Sequence, residues 1–332
     1  MPFSPPSPDD APVFEDILKA AERLEGIAIR TPLLESPLLN DRAGRRIFVK
    51  PECLQRTGSF KFRGASNKIR SLAEDARKGG VVAYSSGNHA QGVAAAARYA
   101  GIPALIVMPS DAPAIKRANT EAWGAEIRPY DRFNEDRMAI AEAIAEERGA
   151  TLVRPYDDPF VIAGQGTIGL EIADQLAELD VAADAVVCPC GGGGLSSGTA
   201  LAIKTRLPGV PFYAAEPAGF DDTARSLAAG SPQKADPSAR SICDALLADT
   251  PGTITFALNR RLLDGGLVVT DTEVRSAMKA AFLDLKIVAE PGGTVALAAV
   301  LTGKLPAGDG PVVVIISGGN VDPALFQEAL AG

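Results

Sequence analysis

Lys61 is the side chain in this sequence most open to chemistry, lying between Phe60 and Phe62 in LQRTGSFKFRGASNKI, residues 54 to 69. A lysine ordinarily keeps its ammonium in water. Between two aromatic rings the amine either snorkels out or is desolvated, which lowers its pKa and leaves a nucleophile. Four consecutive glycines, Gly191 to Gly194, separate the apolar run DAVVCPC from an Ala-rich helical pattern. Glycines let backbone N–H groups converge on an anion, and the positive end of the following helix adds to the attraction. Such a run is costly in chain entropy unless something must approach the backbone closely, so the pattern reads as a phosphate cradle. It is not a Walker loop, because no Gly-Lys-Ser/Thr closes it. A third turn, YSSGNHAQG, offers Ser85, Ser86, Gly87, Asn88 and His89 at a helix start, either as a carboxylate clamp or as a plain cap. Ser317, in VVVIISGGN, stands at the mouth of a strand.

His89 is the only histidine, which makes a Ser-His-Asp machine or a His-rich metal site difficult. A desolvated lysine, a phosphate cradle, an anion clamp and a strand-end serine fit one cofactor, pyridoxal phosphate (PLP). Lys61 would carry it as a Schiff base, and the cofactor would supply the electron sink. A competing pattern, G-x-G-x-x-G at Gly164, Gly166 and Gly169, suggests a nicotinamide site. That fold needs an acid at the end of the next strand, whereas Asp184 stands at the start of DAVVCPC. Packing of a helix against a neighbouring strand accounts for these glycines as well.

The elements that must hold these turns alternate along the chain. Short β-branched runs (RIFVK, GVVAYSS, PALIVMP, AEIRPY, TLVRP, DAVVCPC, PFYAAEP, PVVVIIS) are separated by Ala-rich amphipathic segments such as NKIRSLAEDARK and MAIAEAIAEERGA. This order predicts right-handed βαβ units, mostly parallel twisted sheets and helices on both faces. Ligands of such folds bind beyond the carboxyl ends of the strands, where the glycine- and serine-rich turns lie.

The 332 residues suggest two α/β lobes sharing a cleft. The balance of 41 Asp+Glu against 33 Lys+Arg, with no basic run, argues against nucleic acid as a partner. No apolar run approaches the ~20 residues of a membrane helix. The N-terminal MPFSPPSPDDAP has no basic n-region and reads as a poorly ordered arm. Four cysteines make no disulfide framework, so a cytoplasmic protein is expected, with Cys188 and Cys190 as small core residues.

The ordered motifs TGSFKFRGA, SSGNHAQGVA, AGQGT, CGGGGL, EPGG and SGGN resemble those of fold-type II PLP enzymes of the threonine dehydratase and serine racemase group. The resemblance runs from RTPLLESP (Arg30 to Pro37) to the SGGN turn. It implies the tryptophan synthase β-like fold, with a large PLP-binding domain (1–72 and 155–332) and a small domain (73–154) closing over the substrate, in a homodimer. It implies PLP on Lys61 as an internal aldimine, Phe60 beside the ring, Asn88 on the ring's 3-hydroxyl, and Gly191, Gly192, Gly193 and Gly194 on the phosphate. Ser317 would face the pyridine nitrogen, and Ser85, Ser86, Gly87, Asn88 and His89 would clamp the carboxylate of an amino-acid substrate. EPAGFDD is similar to the group's cation site, with Glu216, Asp222 and the carbonyl of Phe220 around Mg²⁺, Ca²⁺ or Mn²⁺. A solvated acidic loop is the other reading of those residues.

The activity implied is β-elimination of a β-hydroxy-L-amino acid such as L-threonine or L-serine, giving a 2-oxo acid and ammonia. Alternatives are 3-hydroxyaspartate as substrate, for whose second carboxylate Arg63, Arg137 and Arg154 are candidates, and a racemase using Lys61 with Ser86. Tyr156 and Asp157 are expected to border the cleft or to form a capping turn. A PLP carrier without turnover is a third class, disfavoured by the carboxylate clamp. Two departures from the group stand out. The chain ends twelve residues after Asn320, so no isoleucine-binding regulatory domain is expected. The paired glycines of EPGG (Glu290 to Gly293) suggest a wider site.

Overall fold

The computed structural model describes residues 5–112, 114–306 and 308–331. The β-branched runs settle into two sheets. The larger contains β1 (Leu34–Glu35), β2 (Ile47–Pro51), β7 (Ala185–Pro189), β8 (Phe212–Pro217), β9 (Gly265–Val269) and β10 (Val312–Ile316), in the order β1-β2-β10-β7-β8-β9. Only the β1–β2 pair is antiparallel. The smaller sheet holds β3 (Val81–Tyr84), β4 (Ala104–Pro109), β5 (Glu126–Tyr130) and β6 (Thr151–Leu152), in the order β5-β4-β3-β6 and all parallel. Every residue of β2, β7 and β10 is buried, which is why these strands read as continuous apolar runs rather than alternating ones. Among the described residues no helix is long and apolar enough to cross a membrane.

Three expectations change. The segment AGQGTIGLEIADQL is neither a nucleotide turn nor packed on a strand. It lies inside the helix Pro159–Glu178, and its glycines are contact points between helices. A Cβ on Gly164 would lie 2.7 Å from Gly64 Cα, one on Gly166 would lie 2.9 Å from Gly198 O, and one on Gly169 would lie 2.7 Å from Thr199 O. Backbone-to-backbone approach, not phosphate, requires them, and the nicotinamide reading falls. Second, the strand β9 was not anticipated, because its two leading glycines hide the pattern; Gly266 has no room for a Cβ, which would sit 2.4 Å from that of Ala224. Third, the described part of the N-terminal arm, from residue 5, carries local structure. Ser7 caps a 3-10 turn over Pro8–Asp10, with its hydroxyl accepting from Asp9 N–H and its own N–H donating to Asp10. The first four residues of that arm lie outside the described ones.

The carboxyl ends of β10, β7, β8, β3 and β6 deliver Ser317, the glycine run, Glu216, the Ser85–His89 turn and Pro155. The four free cysteines include Cys188 and Cys190, both buried in the core as expected.

Candidate active site

Lys61 opens the helix Lys61–Arg70, and the chain before it is stitched to the turn after β10. Phe60 N–H donates to Ser317 O (3.1 Å), Gly319 N–H donates to Gly58 O (2.8 Å), and Ser59 bridges Gly318. The helix Asn88–Ala100 crosses directly over the lysine. A Cβ on Gly92 would lie 3.0 Å from the Lys61 carbonyl carbon, so that glycine permits the crossing.

Among the described residues the Lys61 amine has one hydrogen-bond partner, Pro155 O at 2.5 Å, and it lies 5.1 Å from the centre of the Phe60 ring. Burial alone lowers its pKa to about 8, as the flanking aromatics suggest. Only one of those rings takes part. Phe62 points into the core beneath the small sheet, edge-on to Tyr99.

The glycine run forms the turn between β7 and the helix Gly194–Arg206. Gly193 has φ +92° and caps that helix with no side chain, leaving the first N–H groups open to an anion. Side chains would close this cradle, since a Cβ on Gly192 would strike the Tyr156 ring at 2.4 Å. The helix Asn88–Ala100 likewise begins at Gly87 with no side-chain cap, leaving its start open to a carboxylate. These two bare helix starts and the dry amine fit a phosphorylated carbonyl cofactor and a carboxylate substrate.

Within the clamp turn the residues divide. Ser85 Oγ accepts from Gly87 N–H (3.2 Å) and so supports the turn itself, while Ser86 and Gly87 are half-buried. The His89 ring is 3% exposed, and its Nε2 donates to Val153 O (2.9 Å), a carbonyl that can only accept. Burial, then the nearby Lys61 charge, push its pKa down to about 3, so the ring is neutral. His89 can therefore serve a carboxylate through its backbone N–H and not through its imidazole. Asn88 donates from Nδ2 to Glu290 Oε1 (2.6 Å) and accepts at Oδ1 from Asn320 (2.8 Å). Ser317 is 4% exposed and lies at the end of β10, where its carbonyl accepts from Phe60 N–H, next to Lys61.

The arginine candidates separate. Arg63 is 1% exposed and locked into Glu52 and Glu171, so it faces no substrate. Arg137 lies over the Tyr84 ring, 5.7 Å from its centre, and Arg154 sits 3.7 Å from Glu142. Burial raises the Tyr84 pKa, and the charges of Arg154 and Arg137 oppose that rise. Both guanidinium groups thus stand near the last residue of β3, beside the clamp turn. Asp157 takes the capping role, accepting from Thr253, Ile254 and Thr255 N–H at the start of the helix Thr253–Leu262. Tyr156 borders the cleft against the glycines.

At the end of β8, Glu216 is fully buried and accepts from Thr223 and Ala224 N–H (3.0 and 2.7 Å). Asp222 is fully buried too, and among the described residues neither of its carboxylate oxygens has a partner. Burial raises Glu216 to about 8 and Asp222 to about 7. Two orphaned acid oxygens fit a hard cation. Among the described residues, however, no group of three or more His, Cys, Asp or Glu side chains could hold a metal, so a cation here would rely on main-chain and water oxygens.

The EPGG glycines do not widen the site. A Cβ on Gly293 would sit 2.4 Å from Gly318 O, and one on Gly292 would sit 3.1 Å from Leu246, so the first glycine permits backbone contact and the second faces core. Pro155 O, Asn320 and the Glu290 carboxylate carry roles that no local pattern announces. For Glu290 the available signal is an acid directly before a helix-starting proline, in EPGG.

A desolvated amine and two helix starts without side-chain caps, all beyond the carboxyl ends of parallel strands, are the features a phosphorylated carbonyl cofactor would need. The family follows from comparison. The model of the pyridoxal-phosphate dependent enzymes matches residues 24–318, and the chain belongs to that family. It is 44% identical to an L-threo-3-hydroxyaspartate ammonia-lyase of Pseudomonas sp, over 96% of this chain and 98% of the relative. It is 42% identical to an L-threonine ammonia-lyase of Thermotoga maritima, over 96% and 78%. The solved maize serine racemase superposes with TM-score 0.90 at 40% identity, covering 97% of each chain.

Proposed function

We propose that this protein is an ammonia-lyase that eliminates water from a β-hydroxy amino acid, with 3-hydroxyaspartate as the preferred substrate, yielding a 2-oxo acid and ammonia. The observation that carries the reaction is the Lys61 amine, whose only partner among the described residues is a carbonyl and whose pKa is lowered by burial to about 8. An amine in that state takes up and gives back a proton near neutral pH. PLP, carried on this lysine and passed from it to the substrate's amino group, would accept the electron pair left on Cα when the C–H bond breaks, and Lys61 Nζ would then be a free amine.

The N–H groups of Gly191 to Gly194 would hold the phosphate, Phe60 would pack beside the ring, and Asn88 and Ser317 would address its oxygen and nitrogen. A serine hydroxyl cannot stabilise a protonated ring nitrogen as a carboxylate would. That weaker pull favours loss of the β-hydroxyl over transamination. The start of the helix Asn88–Ala100, with Ser86, holds the substrate α-carboxylate. Lys61 Nζ then removes the Cα proton. Phe60 and the lid formed by residues 73–154, moving against 1–72 and 155–332, exclude water.

The sequence placed L-threonine and L-serine first. Two observations support moving 3-hydroxyaspartate ahead: the 44% identity to a lyase of that name, and the Arg137–Arg154 pair beside Tyr84. A second carboxylate between two guanidinium groups makes charge-assisted hydrogen bonds unavailable to threonine. A Mg²⁺, Ca²⁺ or Mn²⁺ ion on Asp222, Glu216 and the carbonyl of Phe220 would satisfy the orphaned Asp222 oxygens.

Serine racemisation is the second reading, favoured by the 0.90 TM-score to a serine racemase. It needs Ser86 to move a proton on the face opposite Lys61. The test is 2-oxo acid and ammonia release from L-threonine, L-serine and the four 3-hydroxyaspartate isomers, with PLP present and with or without Mg²⁺. One 3-hydroxyaspartate isomer should exceed threonine and serine at least ~tenfold in kcat/KM, and Mg²⁺ should raise the rate. Equal rates on threonine overturn the substrate assignment. No release from any compound, with D-serine formed instead, moves the protein to the second reading.

A further inference from the structure

Glu290 is 3% exposed and is wedged against the turn that follows β10. Its N–H donates to Gly318 O (3.0 Å), and a Cβ on Gly318 would lie 2.0 Å from its Oε1. The same Oε1 accepts from Asn88 Nδ2 at 2.6 Å. On the other side of the amide, Asn320 Nδ2 donates to Asn88 Oδ1 and to Thr57 O, both at 2.8 Å.

This chain of bonds has a definite sense. The Thr57 carbonyl can only accept, so the Asn320 atom facing it is the NH₂ group. That group has a second hydrogen, which meets Asn88, so the Asn88 atom there is the oxygen. The Asn88 NH₂ is then turned to Glu290, which takes one of its two hydrogens. Either protonation state of the carboxyl leaves Oε1 able to accept, although burial and the Asp244 charge push its pKa up to about 8.

We propose that Glu290 is a positioning residue: together with Asn320 it fixes the Asn88 amide so that its one remaining N–H is presented to the ring oxygen of the cofactor. The amide of Asn88 sits on the small-sheet side of the cleft, whereas Glu290 and Asn320 come from the large-sheet side. The same bonds therefore register the clamp helix against the lysine. The inference rests on the reading that Asn88 contacts the cofactor.

The experiment compares the wild type with Glu290→Ala, Glu290→Gln, Asn320→Ala, Asn88→Ala and the double variant Asn88→Ala/Glu290→Ala. It reads the visible absorption band of the PLP-loaded protein and the Kd for PLP added to the apoprotein. Glu290→Ala should shift the band and weaken PLP ~tenfold, the usual loss for a hydrogen bond to a charged group. Glu290→Gln, which keeps an acceptor oxygen, should restore both. In the double variant the Glu290 change should add nothing to Asn88→Ala, because a positioning residue acts only through the group it positions. A wild-type band and Kd in Glu290→Ala, with Asn88→Ala altered, overturn this inference alone. A wild-type Asn88→Ala overturns the reading of Asn88 and this inference with it. Should Glu290→Ala fail to fold, the half-exposed Asn320→Ala carries the same test, and wild-type behaviour there overturns the proposal.

Discussion

Lys50 and Lys61 are both withdrawn from water, and their surroundings could hardly differ more. Lys50, on β2, is fully buried and gives its three hydrogens to Thr31 O (2.7 Å), Glu171 (2.6 Å) and Gln175 (2.9 Å). Burial lowers its pKa, and the charges of Glu171 and Glu52 oppose that. Glu52 and Glu171 also hold Arg63, so two cations and two anions close on themselves beneath the Lys61 helix. Among the described residues Lys61 has one carbonyl and no anion. Burial alone therefore does not make a nucleophile. Saturated by carboxylates, an ammonium is locked in place. Desolvated with a single neutral acceptor, an amine can lose its proton and react.

The sharpest way to break this contrast is to remove each lysine in turn. Lys61→Met should lower turnover by at least ~10³-fold, since nucleophile and base vanish together. Lys50→Met should leave turnover of the folded protein intact and cost ~3 kcal/mol in urea denaturation, because a buried carboxylate loses its partner. If Lys50→Met lost turnover without losing stability, the division between the two regions would be wrong.

A smaller effect separates them by pH in the apoprotein. The folded pKa of Lys61, about 8, lies below its ordinary 10.5, so between those values the unfolded chain binds a proton that the folded one does not. That lysine's contribution thus rises with pH across the window and is at its worst below pH 8. Apo Lys61→Met should melt higher than apo wild type at pH 7, with the gap closing toward pH 10.5. Parallel pH profiles would show that Lys61 is not desolvated.

These two regions were unequally legible in the sequence. Lys61, Gly191–Gly194 and Ser317 sit in short contiguous patterns whose composition alone is unusual. Lys50 and Glu171 are 121 positions apart, and nothing local in RIFVK distinguishes a paired lysine from a surface one. Within the site, the open helix start at Asn88 could be read from YSSGNHAQG. The direction of the His89 ring could not, since it depends on the Val153 carbonyl 64 positions away. The parallel α/β plan followed from alternation, whereas β9 and the long helix Pro159–Glu178 were obscured by glycines that serve close packing. Glycine reads as a turn in sequence, and only the neighbouring backbone reveals that it is an absence of side chain that matters.

The most direct measurement is borohydride reduction of the PLP-loaded protein, followed by mapping of the peptide that carries the pyridoxyl group. A single modified lysine, Lys61, is expected, with Lys50 untouched. A pyridoxyl group on any other lysine while Lys61 stays free would contradict that assignment.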